Sequence, residues 1–493
     1  MMKRSLISLA ALALLSACSL APVYERPAAP VTAAWPQGDA YQPAPVAAGA
    51  AAAHDIAWRD YFADERLRGV IALALANNRD LRVSALNMDK ARAQYGIERA
   101  AQVPSVSASG GQNAQHANGN TNRQYSANIN VAYELDFFGK VRSLSEAALQ
   151  QYLGTEEARR AQQIALVADV ANAWLALQAD RERLRLAADT LKSQQITYEL
   201  SKRRFEAGAT SGLDMHEAQT SVEAARNDMA VYTAQVAADE NALTLLAGAP
   251  VPTQLMGAPT ASGGAAGVPA GALAPDAAGS PVMATALAGP DLLAGVAAVK
   301  ELPAGVPSEV LARRPDVLAA ERTLQAANAN IGAARAAFFP SISLTAAAGA
   351  ASGDLSSLFR AGAGTWSFMP SVRLPIFDGG ANRATLGVAQ ADRDIALARY
   401  EKSVQSAFRE VADALAQRGT LGERLASQAA LVDAAQKSFR IHEARYSKGS
   451  ESYLNALVSQ RALYGAQQAM ITARLASASN QVTLYKVLGG GAQ

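Results

Sequence analysis

Apolar and polar residues alternate strictly at two places along this chain. Over 125–137 the odd positions are Tyr125, Ala127, Ile129, Val131, Tyr133, Leu135 and Phe137. The even positions are Ser126, Asn128, Asn130, Ala132, Glu134 and Asp136. A period of two puts successive side chains on opposite faces of a strand, so the pattern predicts a strand with one apolar and one polar face. Over 366–376, Trp366, Phe368, Pro370, Val372, Leu374 and Ile376 share one register, against Ser367, Ser371 and Arg373. A weaker partner precedes each strand, at 104–110 and 341–348, where serines alternate with Val106 and Ala108 or with Ile342 and Leu344. Loops rich in Gly, Asn or Ser, at 110–122 and 349–364, are expected to join each pair.

Elsewhere the period is helical. Residues 140–205 contain no proline and one glycine, Gly154, and predict a single helix roughly 100 Å long at ~1.5 Å per residue. Val167, Val170, Trp174, Leu177 and Leu184 follow 3-4 spacing, with Arg181 in the seam. Leu397, Tyr400, Val404, Ala407, Val411 and Ala414 do the same. Leu454, Leu457, Tyr464, Ile471, Leu475, Ala478, Val482 and Tyr485 lie on one heptad track, together with Arg461 and Gln468. These are coiled-coil seams.

The pattern occurs twice. Arg79-Asp80-Leu81 and Arg314-Pro315-Asp316-Val317 open equivalent helices, which end at Val103-Pro104-Ser105 and Phe339-Pro340-Ser341. Arg204-Phe205-Glu206-Ala207-Gly208 is echoed by Arg445-Tyr446-Ser447-Lys448-Gly449, and Leu213-Asp214 by Leu454-Asn455, at offsets of 236 to 241 residues. Each copy, 79–247 and 303–490, reads as helix, two strands, long helix, turn, long helix. Residues 248–302, rich in Ala, Gly and Pro, separate the copies, and 28–53 have a similar composition; both are expected to be extended or poorly ordered.

Four strands are too few to close a barrel, and an open sheet in lipid leaves backbone groups unpaired at several kcal/mol each. The strands therefore form either a soluble sheet or a share of a barrel built by several chains. The aromatic residues at their ends suit an interfacial belt.

Aromatic residues make up 6% of the 493 residues, while alanine is abundant, which suits long helices packed closely as a wall. A net charge of +2 gives no nucleic-acid surface. The four histidines are scattered, and no catalytic triad, phosphate loop, carboxylate dyad or metal-ligand spacing is present, so neither enzymatic activity nor a cofactor is expected. The single cysteine, Cys18, excludes an internal disulfide. A basic start, an apolar run over 6–15 and Leu15-Ser16-Ala17-Cys18 read as a signal peptide over 1–17 with cleavage directly before Cys18. This resembles a bacterial lipobox, which implies lipid on the Cys18 sulfur and amine. Ser19 in place of aspartate favours sorting to the outer membrane. The apolar run is too short to span a bilayer, and no other stretch is long enough, but a β-barrel remains open.

Asn77-Asn78-Arg79-Asp80-Leu81, Tyr133-Glu134-Leu135-Asp136-Phe137-Phe138-Gly139, Leu311-Ala312-Arg313-Arg314-Pro315-Asp316, the run 331–345 and Leu374-Pro375-Ile376-Phe377, with the lipobox and the duplication, resemble the outer membrane factor family of TolC-like channels, closest to its OprM-type lipoproteins. The resemblance implies an α + β membrane protein: a homotrimer with a shared twelve-stranded barrel, four strands per chain, above a periplasmic barrel of coiled coils. It implies that 18–78 and the 248–302 linker contribute to a belt around the helices. The implied role is the passive, gated outer-membrane conduit of a tripartite drug efflux pump. Its partners would be a periplasmic adaptor and an inner-membrane RND transporter. Polypeptide secretion, metal-ion efflux and a lipid-anchored scaffold without a pore are the competing readings. By position in the family, Asp214 and Tyr446 match a pair that holds the entrance closed, after turn glycines Gly208 and Gly449. Glu451 stands where that latch has an arginine, and Asn455 and Val458 stand where the entrance has aspartates. Glu451, Asp214 and Glu217 are candidate replacements for that charge.

Overall fold

The computed structural model describes residues 20–41, 53–256 and 307–491. Cys18 and most of the 248–302 linker lie outside the described residues. The elements in the first copy are helices α1 (Trp58–Tyr61), α2 (Glu65–Asn77) and α3 (Arg79–Ala100), strands β1 (Ser105–Ala117) and β2 (Asn120–Leu135), and helices α4 (Lys140–Glu206), α5 (Gly212–Ala247) and α6 (Thr253–Met256). In the second they are α7 (Pro307–Arg313), α8 (Pro315–Ala336), β3 (Ser341–Ser352), β4 (Gly364–Arg373), α9 (Ala381–Ser447) and α10 (Tyr453–Val487).

The duplication holds to the residue in two pairs of helices: α3 and α8 have 22 residues each, and α4 and α9 have 67 each. It extends to individual hydrogen bonds. Asn78, at the head of α3, donates from Nδ2 to the Leu246 carbonyl at 2.9 Å. Arg314, at the head of α8, donates from Nη1 to the Val487 carbonyl at 3.1 Å. Each copy therefore ties the start of its short helix to the end of its last helix. Val103-Pro104 and Phe339-Pro340 end the short helices because the residue before proline is pushed out of the α region.

Spatially the chain forms two compact units that cut across the repeat. Among the described residues, the first comprises 20–31, 84–159 and 315–405, and the second 32–41, 53–83, 160–256, 307–314 and 406–491. The first holds one antiparallel sheet in the order β1-β2-β3-β4. The 110–122 stretch, expected as a loop, is almost all strand. Pairing runs to Ala117↔Asn120, and only Asn118 and Gly119 turn, at φ 52° and 80°. Both central residues have positive φ, as a type I′ hairpin turn requires, and Asn-Gly satisfies this at low cost. The β3–β4 connection is the longer one, containing a 3₁₀ turn at Leu355–Ser357.

The second unit carries the main core. Trp58, Tyr61, Phe62, Leu67, Val70 and Ile71 from the N-terminal segment pack with Val167, Val170, Trp174 and Leu177 of α4 and with Val482 and Tyr485 of α10. Tyr61 and Tyr485 stack at 3.8 Å, and each hydroxyl donates to a backbone carbonyl, Gln481 and Ile56 respectively. Fully burying each aliphatic side chain contributes about 1.5–3 kcal/mol. The predicted seams are buried at Val404, Ala407, Val411, Ile471 and Val482. Arg181, within the α4 seam, is buried but paired, donating to Glu240 at 2.8 Å and to the Met256 carbonyl. Leu454 departs from its heptad track: it is 47% exposed, and its neighbour Tyr453 is buried instead. Residues 32–41 contain no regular element, as their composition predicts, yet they are anchored by Trp35 stacking on Phe408 at 4.9 Å.

Candidate functional site

The sheet has two chemically different faces. Cross-strand register aligns Val106, Val131, Ala346 and Phe368 in one row, and Ala108, Ile129, Ala348 and Trp366 in the next. Tyr133-Leu344-Pro370 and Leu135-Ile342-Val372 continue that face. The opposite face carries Ser107, Asn130, Ala347 and Ser367, then Glu134, Ser343 and Ser371. Its groups bond to each other: Asn130 Nδ2 donates to Ser109 Oγ at 2.9 Å, and the Ser343 and Ser371 hydroxyls meet at 2.7 Å. The apolar face is open, with Trp366 82% exposed and Phe368, Ile129 and Val372 also exposed. A sheet apolar on an uncovered face and polar on the other is shaped for lipid outside and water inside. β1 and β4 are its two free edges, and a β4 edge would meet the β1 edge of a second copy antiparallel.

The second unit presents the two helix–turn–helix tips. Gly208 and Gly449 have φ of 72° and 73°. Gly208 N–H donates to Phe205 O and Ala209 N–H to Arg204 O; Gly449 N–H donates to Tyr446 O and Ser450 N–H to Arg445 O. A left-handed residue closing two such bonds is the Schellman end of a helix, where glycine avoids a Cβ penalty. Both sequence-predicted turn glycines thus sit where left-handed backbone demands them.

The side chains on these turns differ. At the first, Thr210 Oγ1 donates to Asp214 Oδ2 at 2.6 Å, and the Ser211 hydroxyl caps α5 by accepting from the Asp214 N–H. At the second, Glu451 Oε1 accepts from Asn455 Nδ2 at 2.9 Å and lies 2.9 Å from His442 Nδ1. These contacts, His442 first, hold the Glu451 carboxyl below its ordinary pKa. Within the chain, Tyr446 and Asp214 are not hydrogen-bonded to each other. Tyr446 Oη instead accepts from Arg204 Nη1 at 3.2 Å, and the guanidinium lies 5.6 Å from its ring centre. Tyr446 also meets Tyr453 at 5.4 Å between ring centroids.

Arg204, His442 and Tyr453 join the tip although none was singled out from the sequence. Tyr453 is buried against Ala218 and Leu457, and its hydroxyl has no hydrogen-bond partner. Burial, then the nearby Tyr446, pushes that hydroxyl up to about 12. A small cavity lined by Leu200, Arg204, Phe439, Glu443, Tyr446 and Tyr453 opens beside it. Burial also raises the Glu443 carboxyl above its ordinary value. The only signal for Arg204 was the Arg-aromatic pair repeated before each turn glycine.

These features agree with known proteins. A family model described as outer membrane efflux protein matches residues 70–249 and 306–490. The toluene efflux pump outer membrane protein TtgC and the antibiotic efflux pump outer membrane protein ArpC, both of Pseudomonas putida, are each 48% identical over 500 residues, covering 99% of this chain and 96% of theirs. Among solved structures, the open state of the Neisseria gonorrhoeae MtrE outer membrane channel matches with a TM-score of 0.81 at 36% identity, covering 97% of this chain and 99% of that one. The four strands are thus one chain's share of a trimeric barrel, and the molecule reaches from the outer membrane into the periplasm. The chain belongs to the outer membrane efflux protein family and is the outer-membrane channel of a tripartite efflux pump.

Proposed function

We propose that this channel is a passive, lipid-anchored conduit for small apolar toxic compounds and drugs, gated at the two helical tips and driven by an inner-membrane RND transporter through a periplasmic adaptor. The observation that carries the conduit is the sheet with an exposed apolar face, a hydrogen-bonded polar face and two free edges. The substrate class is supported by relatives named for toluene and antibiotic efflux. Deleting the gene should lower the tolerated concentrations of hydrophobic solvents and of several unrelated antibiotics. A phenotype confined to metal ions or to a secreted polypeptide would sink this reading.

Cys18 is proposed as the lipidated mature N-terminus, on the strength of Leu15-Ser16-Ala17-Cys18 after a short apolar run. Mass spectrometry of the mature protein tests it directly. The tips are proposed as the gate because each carries a charged group on a glycine-closed turn: Asp214 on one, Glu451 with His442 on the other. Tyr446, held by Arg204, is the partner offered to Asp214 across adjoining coiled coils. Asp214→Ala should raise single-channel conductance in planar bilayers, and an unchanged conductance refutes the latch.

A further inference from the structure

Residues 20–26 run as a strap along α8, with a contact on nearly every helical turn. Arg335 Nη1 donates to the Leu20 carbonyl at 3.1 Å, and Asn328 Nδ2 donates to the Pro22 carbonyl at 2.7 Å. Between them the chain crosses Gly332, where a Cβ would come within 2.7 Å of Ala21 Cβ and of Ser143 Oγ. Only glycine allows the strap to lie this deep between α8 and the start of α4. The far end is clamped. Glu321, 5% exposed, accepts from Arg26 Nε at 2.8 Å, from Arg26 Nη2 at 2.5 Å and from Tyr24 Oη at 3.1 Å. A bidentate arginine on a buried carboxylate fixes both position and direction.

The strap therefore runs antiparallel to α8, and Leu20 leaves it level with Arg335, the last residue but one of the helix. Beyond that end lie Phe338 and Phe339, each about two-fifths exposed, with Phe339 stacked on Phe138 at 4.8 Å and 19°. Gly332, Ala336 and Phe339 follow the 4-3 spacing of a single helical face, and the turn bonds Phe338 N–H to Arg335 O and Phe339 N–H to Ala336 O carry that winding past the helix. From Arg335 to Phe339 the helical rise is about 6 Å. Two extended residues, the distance from Leu20 back to Cys18, reach at most about 7 Å. The chain outside the structure is thus the right length to bring its first mature residue level with these rings.

We infer that the Phe338–Phe339 shoulder, with Phe138 beneath it, is a docking surface for the acyl chains carried by Cys18 of the same chain, and that the Glu321-clamped strap delivers them there. The inference rests on Cys18 being lipidated. It makes the anchor part of the folded protein at the foot of the sheet, rather than a tether floating in the bilayer.

The test feeds cells a diazirine-bearing fatty acid, irradiates intact outer membranes and maps adducts on the purified protein by peptide mass spectrometry. A second arm exports Cys18→Ser behind a signal peptide of the non-lipoprotein type, leaving membrane phospholipid as the only labelled source. Adducts on the Phe338–Phe339 peptide should fall about tenfold in that arm, because tethering makes docking of the Cys18 chains intramolecular, whereas phospholipid must be captured from the bilayer. Adducts on the Trp366–Val372 strand should stay constant and report a properly inserted barrel. Arg26→Ala, which opens the clamp but keeps Cys18, should also reduce the phenylalanine adducts. Equal labelling in both arms would assign the shoulder to bulk lipid. No adduct on either phenylalanine in the lipidated protein would assign it to a neighbouring chain. Either result overturns the docking surface. The intact mass of the same preparation separates these failures from absence of the lipid itself.

Discussion

The two helical tips are one backbone used twice and two sets of side chains used once. Gly208 and Gly449 hold the same left-handed φ, and the hydrogen bonds around them repeat at an offset of 241 residues. The polar pair that follows repeats in place but is reversed in sense. In the first tip Thr210 donates to Asp214; in the second Asn455, the counterpart of Asp214, donates to Glu451, the counterpart of Thr210. The negative charge has moved one helical turn, and His442 has come up beside it. Duplication thus preserved the positive-φ residue that the backbone needs and a serine at the N-cap, of which only Ser211 caps with its hydroxyl, and left the charge pattern free to diverge.

Paired substitutions sharpen this contrast. The largest effect is expected at the equivalent positions His216 and Leu457. Leu457 is 1% exposed in a cluster with Tyr453 and Ala218, whereas His216 is exposed. Leu457→Ala should lower local stability by about 2–4 kcal/mol, and His216→Ala by close to nothing. Hydrogen exchange of the amides in each tip measures the two separately, and equal protection loss would break the asymmetry. Next come Gly208→Ala and Gly449→Ala, each expected to cost about 1–2 kcal/mol. Neither site has any atom that a Cβ would crowd, so the penalty is conformational and should be the same at both. Tyr446→Phe is smaller, about 1 kcal/mol, through loss of the acceptor for Arg204. The matching residue in the first tip is already Phe205, so Phe205→Ala→Tyr restorations should not show the same dependence on Arg204 in a double-mutant cycle.

The smallest expected difference is in pH response. Hydrogen bonds from His442 and Asn455 lower the Glu451 carboxyl, so its contribution to the folded tip is present above the unfolded carboxylate range near ~4.5 and is lost as pH falls through the lowered folded value. Exchange protection in the second tip, corrected for intrinsic rates, should decline in that acid window, and Glu451→Gln should remove the decline. An identical acid response in the substituted protein would show that another group is responsible.

How much of this was legible in the sequence depended on what each residue faces. The alternation of β2 could be read because its two faces meet different media, and every second residue must respond. β1 could not be read past Gly110: Gly-Gly-Gln-Asn-Ala-Gln-His-Ala shows no alternation, and its strand state is fixed by pairing with β2 and by the Asn118-Gly119 turn. The seams of α4 and α9 were legible because helix periodicity persists over many turns. The period failed at Leu454 because the turn, rather than the heptad, sets the rotation of the first residues of α10. The partners of Tyr446 and Glu451 were hidden for a similar reason. Arg204 is 242 residues away from Tyr446, and His442 meets Glu451 only because two helices converge at the turn.

The free edges of the sheet have a consequence for biogenesis. β1 has 13 residues and β4 has 10, and on each roughly half of the backbone N–H and C=O groups face outward with no strand to receive them. In hydrocarbon each such group costs several kcal/mol, so a lone chain in the bilayer would carry tens of kcal/mol of unmet hydrogen bonding. A monomer therefore has no resting place in the membrane. The meeting of three chains must precede or accompany insertion, and a chain that weakens its β1–β4 seam should make fewer pores.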